Sequence, residues 1–339
     1  MIRYITRRLL QAIPLLLLIS MILFVLMQTA GDPLATLGGR QPPRAEDRER
    51  LRRQLGLDQP VLTQYVYWLI GNDWVVIDAA TGATGTRRGA LRGDFGTSLV
   101  TRQPAMEVIS QRMVNTLILM VTAEVLIVVV SLVIGVVSAV RQYSLLDTVL
   151  TTAAFVTYSI PVFLMALILM YIFAVTFRRW GLPYLPISGM FDPAVGPTPT
   201  QVIRHMILPV LTISLISIAG YSRYIRSTML EVINSDYIRT ARAKGLNERR
   251  TMAVHAFKNA SLPIVTLIGL DLPFLLAGAV VTETIFAWPG MGRLFIDHLT
   301  RSDFPVLMGL LMLISVAVVL FQLLTDIAYT WLDPRIRFS

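Results

Sequence analysis

The stretch MVNTLILMVTAEVLIVVVSLVIGVVSAV, residues 113–140, contains one ionisable side chain, Glu124. As an α-helix it is about 42 Å long, more than the ~30 Å hydrocarbon core of a bilayer. A helix of a soluble domain would carry charge along its outer face, and this one offers only Glu124. The stretch therefore predicts a membrane span, and with it an all-α, polytopic membrane protein. Glu124 falls near the middle. An exposed carboxylate at that depth costs about 3 kcal/mol on insertion scales. It is therefore expected to be protonated, hydrogen-bonded in a bundle or facing a wet path. Its span holds no histidine and no second acid, so a structural or pathway role is expected ahead of proton relay.

Working outward, five further apolar runs have comparable length. They lie at about 9–30, 151–177, 206–222, 261–282 and 305–328, giving six predicted spans. Pro161, Pro263 and Pro273 fall inside these runs and are expected to kink helices whose neighbours satisfy the freed carbonyls. The first run is too long for the apolar part of a cleaved signal peptide and is taken as a retained span. Asp271 and Asp326 raise the same question as Glu124. Gly135, Ser138, Ala139 and Gly278 are small enough to let helices approach closely.

The whole chain agrees with this class. Of 339 residues, 55% are apolar and 15% charged, against about 25% charged in an average soluble domain. The absence of cysteine excludes disulfides and thiolate metal sites. His205, His255 and His298 show no metal-ligand spacing. The net charge of +9 is placed unevenly. Arg3, Arg7 and Arg8 precede the first span, and Arg335 and Arg337 follow the last. The 223–260 segment holds Arg223, Arg226, Arg239, Arg242, Lys244, Arg249, Arg250 and Lys258. With six spans these segments share one side, and the excess of lysine and arginine predicts that it is the cytoplasmic one.

The segment 31–112 then lies outside the cell. It is expected to contain a charged helix, a Gly-Leu stop, a second amphipathic helix and, over 71–99, a loop or small hairpin. Its size and side suit it to be either a cap or a docking surface. The chain carries no Walker A loop, no nucleophile elbow and no HExxH pair. The glycines of WPGMGR, 288–293, lack the setting of a dinucleotide site. A transporter without an energy source of its own needs a partner that supplies one.

The basic segment also has shape. Ser235 or Asp236 can cap a helix over Tyr237–Lys244, Gly245 fits a left-handed terminus, and Asn247 can cap a second helix. A short helix, a glycine bend and a helix make a stiff projection suited to a protein groove. The competing expectation is a positive loop resting on anionic headgroups.

At these residues the chain resembles the membrane-spanning subunits of the dipeptide and oligopeptide ABC importers, specifically the first of their two permeases. The match rests on DYIRTARAKGL, 236–246, and HAFKNASLPIVT, 255–266. It continues in VTETIFAWPGMGRLFIDHLTRSDFPVLMG, 281–309, in DIAYTWLDPRIRF, 326–338, and in two stretches near the start. It covers nearly all of the chain; 72–92 looks inserted, and Gln322 stands where relatives commonly carry Asn. The resemblance implies a type I importer permease of six helices. Its parts would be 1–30 with the first span, an extracytoplasmic segment 31–112, a core 113–328 and a cytoplasmic tail 329–339. It implies an ATPase-coupling site of Asp236, Tyr237, Arg239, Thr240, Ala241, Arg242, Ala243, Lys244, Gly245, Leu246, Arg249 and Arg250. It implies an extracytoplasmic signature of Glu283, Trp288, Pro289, Gly290 and Gly292. Expected partners are a second homologous permease, two ATPase subunits or domains holding ATP and Mg, an extracytoplasmic solute-binding protein and a peptide. No cofactor, catalytic residue or metal is expected in this chain, and its place is a bacterial or archaeal cell membrane. Another small solute such as nickel, glutathione or a sugar, a proton-driven carrier and a membrane scaffold are the alternatives.

Overall fold

A computed structural model describes residues 2–29, 52–53, 57–78, 82–247, 262–271 and 278–332. In chain order the elements are α1 (Ile2–Thr29), α2 (Val61–Ile70), β1 (Val76–Asp78), β2 (Ala83–Thr84) and α3 (Ala105–Val140). There follow α4 (Leu145–Tyr158), α5 (Val162–Arg179), α6 (Pro199–Ile233) and α7 (Asp236–Ala243). The last are α8 (Leu262–Asp271), α9 (Val280–Ile285), α10 (Met291–Leu299) and α11 (Phe304–Leu332). Of the loop or small hairpin expected over 71–99, the structure has the hairpin, as the antiparallel pair β1–β2 with Val76 opposite Thr84. Of the charged helix expected before α2, Arg52 and Arg53 alone are described, and both are helical.

Five helices among the described residues are long and apolar enough to cross a bilayer: Tyr4–Thr29, Ala105–Val140, Val162–Arg179, Pro199–Ile233 and Phe304–Ile327. The sixth expected run, 261–282, lies partly outside the described residues. The run at 261–282 does not form one continuous helix. Gly278 has φ +77°, a left-handed conformation that no α-helix passes through, and it separates α8 from α9. Two more boundaries change. Pro161 does not kink a helix over 151–177 but divides it, sitting extended (φ −58°, ψ 143°) between α4 and α5. Its missing N–H and its pressure on Ile160 favour a break over a bend. α6 is twice the length of the apolar run at 206–222. Thr198 caps it by accepting from Gln201 N, Pro199 takes its first turn, and it continues through Arg223 and Arg226, which were read as loop.

The chain divides into two compact units. Unit 1 comprises 1–114 and 293–319. Its core joins Phe24, Tyr65, Trp68 and Met308, with the Phe24 and Tyr65 rings edge to face at 5.6 Å. Ser20 Oγ and Tyr65 Oη share a buried hydrogen bond of 2.8 Å. Much of α1 shows leucine and isoleucine to the outside, including Leu10 and Leu18. That surface suits acyl chains rather than water.

Unit 2 comprises 115–292 and 320–339. α3 explains its packing. Leu119, Ala123, Ile127 and Ser131 recur every fourth residue and are buried, while Val121, Val125, Val129 and Val133 do the same and are exposed. The helix is thus apolar all round, with a smaller inner stripe against protein and a valine stripe outward. Gly135 continues the inner side. A Cβ there would lie 2.6 Å from Ile225 Cγ2 and 2.9 Å from Ser222 O, so α3 and α6 cross with no room for a side chain. The core around this crossing holds Ile127, Ala139, Ile218, Ile225, Met229, Ile238 and Ile264.

Candidate functional site

The 236–246 element begins where α6 ends. Asn234 closes α6, and Ser235 takes the N-cap conformation of α7 (φ −72°, ψ 154°). The expected cap bond is not made: Ser235 Oγ donates back to Val232 O at 2.6 Å. Asp236 opens α7 and places a negative charge at the positive end of the helix dipole. α7 ends at Ala243, one residue short of the expected boundary, with Lys244 as its C-cap. Gly245 has φ +78°, the left-handed terminus expected of it, and its N–H donates to Arg242 O at 2.9 Å. A Cβ at Gly245 would meet nothing within 4 Å, so backbone conformation rather than space calls for glycine here.

One residue anchors the element. Ile238 is fully buried, packed in the core with Ile225 and Met229 of α6. Its apolar face turns inward and is not part of an outer contact surface. Asp236, Tyr237, Arg239, Thr240, Arg242, Ala243, Lys244 and Gly245 are exposed, and Leu246 is half-buried. Arg239 Nη1 lies 3.6 Å from Asp236 Oδ1. The Ala241 side chain, Arg249, Arg250 and the second helix lie outside the described residues.

The end of α6 that leads into α7 is braced by a pair the sequence did not suggest. Arg226 Nε and Nη2 each donate to Asp147 across 2.8 Å. Asp147 also accepts from Tyr143 N and Thr151 Oγ1, and its own N–H donates to Ser144 Oγ, the cap of α4. The two-pronged bond holds the α4 start to the α6 end in fixed geometry. Both residues were visible as loop charges. Their 79-residue separation hid the pairing.

The signature 283–292 builds a closed nest. Glu283 is fully buried, and its Oε1 accepts from Thr116 Oγ1 at 2.9 Å. Thr116 Oγ1 in turn accepts from Met291 N at 2.7 Å. A Cβ on Gly278 or Gly290 would lie 2.8 or 2.4 Å from a Glu283 carboxylate oxygen. A Cβ on Gly292 would lie 2.8 Å from Val280 Cα. Gly278 therefore serves carboxylate packing and not the helix crossing expected of it. Trp288 is fully buried, donating from Nε1 to Asn115 O at 3.0 Å, while Asn115 Nδ2 donates to Pro289 O at 2.9 Å. The signature is thus a turn locked onto α3, with no free charged group displayed.

The acids of the apolar runs are placed unequally. Tyr221 Oη donates to Asp271 Oδ2 at 2.7 Å. Glu124 and Asp271 are within electrostatic reach of each other, and Glu124 Oε1 is buried with no hydrogen bond. Asp326 is half-buried on α11 and is engaged by a neighbour. Among the described residues, no three His, Cys, Asp or Glu side chains are grouped to hold a metal.

Comparison with known proteins covers the chain from end to end. Residues 131–338 match the family described as binding-protein-dependent transport system inner membrane component, and residues 1–120 match the N-terminal region of such components. The chain is 39% identical to the oligopeptide transport system permease protein AppB of Bacillus subtilis, over 100% of both chains. It is 36% identical to the dipeptide transport system permease protein DppB of Escherichia coli, over 99% of both. It is 35% identical to the glutathione transport system permease protein GsiC of Salmonella choleraesuis, over 100% of both.

Proposed function

The chain belongs to the binding-protein-dependent transport system inner membrane components, and from that premise we propose that it lines the path by which an ATP-driven importer takes up peptides. The observation that carries the mechanism is α7: a short helix pinned by Ile238, ended by left-handed Gly245, with its polar face exposed. That face seats in a groove of an ATPase partner. Stiffness matters because a loose loop would absorb the partner's motion. The Ile238 contact and the Arg226–Asp147 brace carry the motion into α6 and α4. Exposed Arg239, Arg242 and Lys244 orient the contact by pairing with acids at the groove's rim. ATP and Mg belong to the partner, and this chain is not itself an enzyme.

In the full assembly α8 and the residues after it supply a sixth, interrupted span. Both termini and the 223–260 region face the cytoplasm, and 31–112 lies outside the cell membrane. A second homologous permease completes the path, two ATPase subunits or domains drive it, and a solute-binding protein delivers cargo to the outer face. Peptide is favoured because relatives that match full length are permeases named for oligopeptide and dipeptide. Glutathione, itself peptide-like, is the second reading, favoured by the similarity to the Salmonella choleraesuis permease.

The experiment is reconstitution of the chain with its neighbouring transport proteins in liposomes. Peptide-loaded binding protein should stimulate both ATP hydrolysis and uptake. Uptake that proceeds without ATPase subunits would replace this reading with a proton-driven carrier. ATP hydrolysis indifferent to the binding protein would replace it with a scaffold.

A further inference from the structure

A narrow, open pocket in unit 1 gives about 70 Å³ of room to a water-sized molecule and widens into an open mouth. Phe24, Met27, Trp68, Phe95, Phe304 and Met308 give it apolar walls, and Gln28, Gln64 and Arg87 reach it as polar neighbours. Those polar groups are out of balance. Gln28 Nε2 donates to Gln64 Oε1 at 2.6 Å, and Gln64 Nε2 donates to the carbonyls of Leu57 and Gln59. Two donors are left over. Trp68 is buried, and its Nε1–H has no acceptor. The Arg87 guanidinium feels the charge of Asp94 but makes no side-chain hydrogen bond or ion pair among the described residues. Asp94 is already occupied, accepting from Arg88 N on one oxygen and Gly96 N on the other. Burial pushes the Arg87 guanidinium down from its ordinary pKa against the raising influence of Asp94, as befits a cation short of partners.

Unmatched donors beside an apolar wall call for an amphiphile whose head carries oxygen acceptors and negative charge. The position of the pocket selects among such molecules. Phe24, Met27 and Gln28 lie in the closing turns of the span Tyr4–Thr29, and Phe304, Pro305 and Met308 open the span Phe304–Ile327. The mouth therefore lies at the height of lipid headgroups. We infer that this pocket binds an anionic phospholipid, its phosphate on Arg87 and the first part of its acyl chain along Phe24, Trp68, Phe95 and Met308. The lipid would wedge α1 and α2 against the start of α11, all within unit 1. A peptide's terminal carboxylate shares the anion chemistry, but it has no reason to sit where the walls are the ends of lipid-facing spans.

The test uses the assembled transporter, purified in detergent and equilibrated with equimolar phosphatidylglycerol and phosphatidylcholine, with retained lipid identified by native mass spectrometry. Phosphatidylglycerol should be retained in about tenfold excess, the scale that a charged hydrogen bond supplies. Arg87→Gln should bring the two lipids to parity without moving the unfolding midpoint. Acyl-brominated phosphatidylglycerol should quench a tryptophan signal that Trp68→Phe removes. Met308→Trp, which fills the cavity, should lower retention even if Arg87→Gln proves hard to express. Equal retention of both lipids by the unaltered protein, or an excess untouched by Arg87→Gln, overturns the inference. Displacement of the lipid by millimolar dipeptide would also overturn it and assign the pocket to cargo. None of these readouts depends on transport.

Discussion

His298 Nδ1 lies 2.9 Å from Asp303 Oδ2, and the pair closes the corner between α10 and α11. Asp303 is fully buried, and its carboxylate also accepts from Ser98 Oγ, Leu99 N and Val100 N. One side chain thus ties the 97–104 turn of unit 1 to the entrance of the last span. Burial alone would raise the Asp303 pKa, but the hydrogen bonds from His298, Ser98 and Leu99 N–H outweigh it and hold the carboxyl below its ordinary value.

The sign of the pH dependence follows. A carboxylate with a depressed folded pKa stabilises the fold above the unfolded value of about 4 and loses that contribution as pH falls through the lower folded value. Protection of the 97–105 and 298–307 amides from hydrogen exchange, corrected for intrinsic rates, should hold from neutral pH to about 4 and fall below it. Asp303→Ala should cost about 3 kcal/mol at neutral pH, since it strands several buried donors. Protection that already fails well above pH 4 would contradict the assignment of this stability to the Asp303 carboxylate.

The Glu283 nest makes a steric prediction. Gly290→Ala puts a methyl 2.4 Å from Glu283 Oε2, and the carboxylate has no second place to go. The expected loss is about 2–3 kcal/mol, typical of overpacking. Thr116→Val keeps the shape but removes the donor to Glu283 and the acceptor for Met291 N, and should cost about 1–3 kcal/mol. Unfolding midpoints in detergent measure both. A neutral Gly290→Ala would mean that the nest opens freely.

Arg226→Gln should loosen the hold of α4 on the end of α6 without touching α7 itself. The Arg226 side chain keeps 24% of its exposure, so the loss should be about 2 kcal/mol, below the roughly 3–5 of a fully buried pair. In the liposome assay, binding-protein stimulation of ATP hydrolysis should fall further than basal hydrolysis. Charge reversal of both partners together should recover part of it. A double variant no better than the single one would reduce the pair to local packing.

Glu124→Gln should leave ATP-driven uptake largely intact. Glu124 Oε1 has no hydrogen bond to lose, and an amide has the same shape. Uptake lost in a complex that still assembles and hydrolyses ATP would return proton relay to consideration.

Much of this architecture is legible in the sequence because the bilayer demands long apolar runs and the turns demand particular residues. The runs at 9–30, 113–140 and 305–328 coincide with helices because a backbone in hydrocarbon must satisfy itself, a demand strong enough to keep Pro14 inside α1. Gly245 was legible because a left-handed terminus favours glycine. The failures have physical causes too. Pro161 divides a span where a kink was expected, because hydropathy cannot see a backbone break. α6 continues through Arg223 and Arg226 because polar residues at a span's end remain good helix formers. Arg226–Asp147, Glu283–Thr116 and Asp303–Ser98 were illegible because each joins residues far apart in the chain. Nothing local marks Ile238 in the sequence, and only its packing against Ile225 and Met229 reveals it as the anchor.

The most direct test of the account is the ATPase rate of reconstituted Gly245→Val, with and without peptide-loaded binding protein. Valine at φ +78° costs about 1–2 kcal/mol in the backbone, and with nothing within 4 Å of its Cβ the strain has no steric companion. The spans are unchanged, so the complex should assemble. Stimulated hydrolysis and peptide uptake should fall together, while the binding protein's affinity for peptide stays normal. Ala241→Trp, which adds bulk to the same short helix, should do likewise. If both variants assemble and remain fully coupled, residues 236–246 do not link this chain to its ATPase, and the account is wrong at its centre.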